Sequence, residues 1–107
     1  MMNSARVSIS PDTIKDIARL STLATPGVVG LADSPANMLQ RAAFKGVEVT
    51  MVNEIASISL HVTATTDQSL MALGNQIKHN VAEAVAEIAG IKIESINVAF
   101  EDVRTAK

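Results

Sequence analysis

Two runs of alternating apolar and polar residues, joined by a two-residue spacer, restrict this chain more than any other feature. Val47, Val49 and Met51 alternate with Glu48 and Thr50; Ala56, Ile58, Leu60 and Val62 alternate with Ser57, Ser59, His61 and Thr63. A period of two belongs to a strand with one face buried and the other wet. Pairing the runs antiparallel with Val49 opposite Ile58 sets Val47 opposite Leu60 and Met51 opposite Ala56, so all the apolar side chains share one face. A slip of one residue would turn one strand's apolar set to water, which fixes the register. The loop is then Asn53-Glu54. Asparagine suits the first position of a tight primed turn, whereas glutamate stands where glycine is favoured.

A hairpin with one apolar face needs a cover. Between Asp67 and Ala89, Leu70, Gly74, Ile77, Val81, Ala84 and Ile88 recur at alternating steps of four and three, a single helical stripe. Thr66 or Asp67 is placed to cap its start, and Gly90 to end it in the left-handed conformation. A second helix begins at Ser10-Pro11-Asp12 with a cap, a first-turn proline and a first-turn acid. Its inner face is Ile14, Ile17 and Ala18, and Pro26 stops it near Ala24. Ile96, Val98 and Phe100 alternate with Asn97, Ala99 and Glu101 as a last strand, and Val7-Ser8-Ile9-Ser10 reads as a short edge strand. Val28-Val29-Gly30-Leu31 reads as a buried apolar stretch after the Pro26-Gly27 turn. Asp33 to Lys45 is less regular: Ser34-Pro35 and Gly46 frame a short helix with Met38, Leu39, Ala42 and Ala43 on one side.

The expected fold is α+β, one domain over residues 1–107: a small, mostly antiparallel sheet of three to four strands, two helices packed on one face, in the order (β)αββαβ. The other sheet face presents Glu48, Thr50, Ser57, Ser59, His61, Thr63, Asn97 and Glu101. Only Phe44 and Phe100 are aromatic, so the core is aliphatic.

Several function classes find no support in these residues. There is no cysteine, which removes disulfides and thiolate chemistry and suits a reducing compartment. Nine basic and eleven acidic residues give a net charge of −2, with no broad attraction to nucleic acid or anionic lipid. No apolar run is long enough for a spanning helix, and the polar opening Met1 to Arg6 has no targeting pattern. The chain reads as cytoplasmic, without direct membrane insertion. His61 and His79 each lack a second histidine at ligand spacing, and Glu83 and Glu87 read as a solvated helix face. No nucleophile elbow or phosphate loop is present. No cofactor, metal or catalytic residue is assigned.

Gly27-Val28-Val29-Gly30 matches the bare G-x-x-G spacing of KH domains, which makes a single-stranded nucleic-acid binder the alternative reading; the two valines favour a turn docked on the core instead. Two small apolar patches are left as a candidate partner surface. One is Met71, Ala82 and Ala86 on the long helix, where the first helix packing is the simpler account. The other is Met38, Leu39 and Phe44 in the middle segment.

Four stretches in this order and spacing resemble the alkaline-shock family of envelope stress response proteins, found mainly in Gram-positive bacteria. They are Ile9-Ser10-Pro11-Asp12-Thr13-Ile14; Pro26-Gly27-Val28-Val29-Gly30-Leu31; Gly46-Val47-Glu48-Val49 with its hairpin; and Gln76 to Val85 followed by Ala89-Gly90-Ile91 and Ile96 to Val103. The resemblance spans roughly Val7 to Val103. It implies a cytoplasmic, non-enzymatic interaction or scaffold protein that self-associates and acts through other proteins, near the membrane through an anchored partner. The chain departs from the family in having no long polar tails, a short middle segment with Ser34-Pro35, and Ala99 where a polar residue is common. These departures fall where partner choice tends to reside.

Overall fold

The computed structural model describes residues 8–32, 45–65 and 69–105. Helix α1 (Pro11–Leu23) leads to strand β1 (Val28–Leu31); β2 (Val47–Val52) and β3 (Ile55–Thr65) follow, then helix α2 (Leu70–Ile88) and strand β4 (Lys92–Arg104). The fold is α+β, as the patterning requires.

The hairpin has the expected register: Val47 opposite Leu60, Val49 opposite Ile58, Met51 opposite Ala56. Its turn residues Asn53 and Glu54 both have positive φ, 54° and 65°, the backbone of a primed turn. Val28–Leu31 is a correction. It is not a buried turn but a strand, antiparallel to β3, with Val28 opposite Ala64 and Leu31 opposite Val62. Val28 is half-buried and Val29 stands 46% exposed at an irregularity between Val28 and Gly30.

β1 and β2 lie end to end along the same edge of β3. The His61 N–H donates to the Gly46 carbonyl at 2.8 Å, and the His61 carbonyl accepts from Ala32 N–H at 2.8 Å. Both backbone groups of one strand residue point the same way, so Ala32 and Gly46 are neighbours on one edge. Ala32 ends the first described run along this edge and Gly46 opens the next. That position needs glycine: φ is +76°, and a Cβ there would meet the carbonyl oxygens of Ala32 and His61, each at 2.8 Å. Met38, Leu39, Ala42, Ala43 and Phe44 lie outside the described residues.

β4 occupies the other edge of β3 and runs parallel to it. A parallel neighbour requires a crossover, which α2 supplies. Two irregularities in the register leave Glu94 and Glu101 of β4 without partners on β3. The expected edge strand at Val7 to Ser10 is not there: Ser8 to Ser10 are irregular, Ser10 caps α1, and Val7 lies outside the described residues. The α2 cap is Ser69, which accepts from Ala72 N–H; Thr66 and Asp67 lie outside the described residues.

Both helices pack on one side. Ile14, Ile17 and Ala18 of α1 and Leu73, Ile77, Val81 and Val85 of α2 are buried against Val47, Ala56, Ile58, Leu60, Val62 and Ala64 of the sheet. Burying each valine, leucine or isoleucine among them contributes about 1.5–3 kcal/mol. The expected stripe of α2 faces the core, with Gly74, Ile77 and Val81 buried and Leu70 and Ala84 packed at its margin, and Leu73 and Val85 widen it on either side. Ile88, at the helix end, is 70% exposed.

Candidate interaction surface

The sheet face turned away from the helices is built from β2, β3 and β4, because alternate residues of one strand must point there. Of Glu48, Thr50, Ser57, Ser59, His61, Thr63, Asn97 and Glu101 on this face, only Thr63 is buried. Serines and threonines keep it flat, and His61 is the one ring among these residues. Register sets Glu48 opposite Ser59 and Ala99 opposite His61. Glu48 and Glu101 are therefore the diagonal neighbours of His61 from the two flanking strands. His61 Nδ1–H donates to Glu101 Oε2 at 2.7 Å, while Nε2 lies 3.8 Å from Glu48 Oε1. A carboxylate only accepts, so the proton sits on Nδ1. The two glutamates flank opposite nitrogens of one ring and cannot converge with it on a single ion. Among the described residues no group of three or more His, Asp and Glu is placed to hold a metal. Ser57 adds a 3.3 Å hydrogen bond to Glu94.

The proximity of His61 and Glu48 follows from hairpin parity alone. The Glu101 contact does not: it depends on the irregular β3–β4 register, and no local signal in the sequence marks it.

The stripe on α2 is not covered by α1. The contact between the helices runs on another side, where Asn80 Nδ2 donates to Thr25 Oγ1 at 3.0 Å, Thr25 Oγ1 donates to the Ser21 carbonyl at 2.9 Å, and Gln76 Nε2 donates to Asn80 Oδ1 at 2.9 Å. Met71 is 79% exposed, Ala86 is exposed and Ala82 is half-buried. His79 and Glu83 form an exposed pair one turn apart on α2 at 3.9 Å.

The Gly27-to-Gly30 segment does not form a free phosphate-clamping loop. Residues 28–31 are a strand on β3, and the Gly27 carbonyl accepts from Thr65 N–H at 3.0 Å. A shallow cleft of about 330 Å³ lies at the far end of the molecule, between the Asn53-Glu54 turn and Gly90 to Lys92. It holds Glu54 and Lys92, with no nucleophile beside a base. Among the described residues no helix is long and apolar enough to cross a membrane.

A family model for the alkaline-shock proteins, described as having a cell envelope-related function, matches residues 2–105. The chain belongs to the alkaline-shock protein family. No curated protein matches it in sequence. Among solved structures it is similar to MamM-CTD: one structure aligns with a TM-score of 0.54 at 15% identity, covering 85% of this chain and 92% of that one. A MamM-CTD nickel form aligns with a TM-score of 0.54 at 15% identity, covering 85% of this chain and 96% of that one. Likeness at this identity establishes a shared fold. The family match adds the relation to the cell envelope.

Proposed function

We propose that this alkaline-shock family chain is a non-enzymatic interaction or scaffold protein of the cell-envelope stress response. The observation behind this reading is that the helices cover one sheet face and leave the other as a flat, largely polar, half-exposed surface with Val52 and Ile55 exposed at its hairpin end. Its central polar cluster, Glu48–His61–Glu101, fixes a ring in place without enclosing a reacting volume. A catalyst needs a concavity with convergent groups, and an interface needs a broad surface. The exposed Met71, with Ala82 and Ala86 behind it, is a second contact, and Met38, Leu39 and Phe44 of the middle segment extend the same proposal. The protein acts in the cytoplasm, reaches the membrane through an anchored partner, and self-associates.

The test is capture from the cell's own extract with the wild-type chain, with Ser59→Arg at the centre of the open face, and with Asp16→Arg on the exposed side of α1. The reading expects one defined partner, retained by Asp16→Arg and lost with Ser59→Arg. Equal capture by all three, or capture by none, overturns it.

A further inference from the structure

The outer edge of β4 is unpaired among the described residues. Ile58 and its even-numbered neighbours on β3 turn their backbone groups toward β4, because His61 turns its own toward β1 and β2. In a parallel ladder a residue bonds to the two residues flanking its partner, so Ile58 bonds to Ser95 and Asn97. The N–H and C=O groups of Ile96, Val98 and Phe100 therefore point away from the sheet. The side chains of these three residues pack on the core yet stay half-exposed, whereas Ile58, Leu60 and Val62 on β3 are fully buried. An open row of backbone donors and acceptors beside a half-covered apolar row is a template for strand addition.

We propose that two copies of this chain pair antiparallel through β4, about a two-fold axis at Asn97, to make one continuous sheet. This rests on the self-association reading above and gives it a geometry. Charge selects the occupant and the register. With Asn97 opposite Asn97 of the second copy, Ile96 faces Val98 on the core side, and Lys92 faces Asp102. Lys92 lies opposite Ile55 and Asp102 opposite Thr63 within the chain, so both belong to the open face and can meet across the axis. One irregularity, at Glu94 or at Glu101, lies on each side of Asn97, so the alignment survives both. Centring on Val98 instead would set Lys92 against Arg104 and Glu94 against Asp102, like against like. Asp102 already has an exposed contact of 3.5 Å with Arg104 on its own strand, a weak pairing that leaves it open to Lys92.

The experiment uses the full chain. It contains no cysteine, so Asn97→Cys introduces a single thiol. Asn97 turns its backbone toward β3, which makes Asn97–Asn97 a non-hydrogen-bonded pair with a Cα separation of about 4.5 Å, within disulfide range. Under mild oxidation Asn97→Cys gives a covalent dimer, and Thr50→Cys on β2 does not. In light scattering and sedimentation, Lys92→Asp and Asp102→Lys each weaken the wild-type dimer by about ten-fold, and the double exchange restores it. Circular dichroism confirms that these surface variants stay folded. A wild-type chain that is monomeric at high micromolar concentration overturns both self-association and this geometry. A wild-type dimer in which Asn97→Cys fails to cross-link and the charge exchanges have no effect overturns the β4 geometry and leaves self-association standing.

Discussion

Replacing Gly46 by alanine tests the close approach of Ala32, Gly46 and His61 at the start of β2. Gly46 has φ +76°, and a Cβ would stand 2.8 Å from two backbone oxygens and 3.0 Å from Leu31 Cβ. Holding an L-residue in the left-handed region costs about 1–2 kcal/mol. Forcing a methyl against backbone that is itself hydrogen-bonded costs about 1–3 kcal/mol more. The smaller entropy of the unfolded alanine chain returns about 0.4–1 kcal/mol. The net loss is roughly 3 kcal/mol, a large share of the ~5–15 kcal/mol that holds a domain of this kind. Gly90→Ala meets nothing within 4 Å but keeps a φ of +69°, so it bears only the strain, about 1 kcal/mol. Gly30→Ala meets nothing within 4 Å and has no positive φ, so it is neutral or slightly stabilising. Urea unfolding followed by circular dichroism gives all three values, with an unchanged slope m. If Gly46→Ala falls within about 0.5 kcal/mol of Gly90→Ala, the backbone approach at Ala32 and His61 is not as tight as described and the reasoning fails.

Two further substitutions probe the cover of the sheet. Gly74 sits inside α2 with its Cβ position 3.6 Å from the Phe100 ring, an ordinary contact, so Gly74→Ala is expected to stabilise the fold by about 0.5–1 kcal/mol in the same assay. A loss would mean that α2 and β4 are closer than the structure places them. Asn80→Ala removes the donor to Thr25 and is expected to cost about 1 kcal/mol. No change would show that the polar contact does not orient α1 against α2.

The hairpin was legible because burial on one face and a two-residue turn leave a single consistent register. The start of α1 was legible from Ser10-Pro11, and the end of α2 from Gly90. β1 was hidden because the irregularity at Val29 breaks the alternation that reveals a strand. The buried side of α2 is wider than the stripe read from the sequence because α2 is packed against the sheet and α1 together, which brings Leu73 and Val85 inward, while Ile88 sits at the exposed end of the helix. The length of β4 was hidden because its alternation is regular only around Ile96 to Phe100; the unpaired Glu94 and Glu101 reset the phase on either side. Half of the His61 arrangement followed from local parity. The other half required the long-range pairing of β3 with β4, which no short segment encodes.

The claim that this chain works through its open sheet face is tested most directly by photo-crosslinking in the native cell. A photoreactive residue is placed at Ser59 in the middle of that face, at Met71 on the exposed side of α2, and at Asp16 on the exposed side of α1. The account predicts discrete protein adducts from Ser59, a second contact at Met71 on the helix side, and none from Asp16. Adducts from Asp16 alone, or none from Ser59, would contradict it.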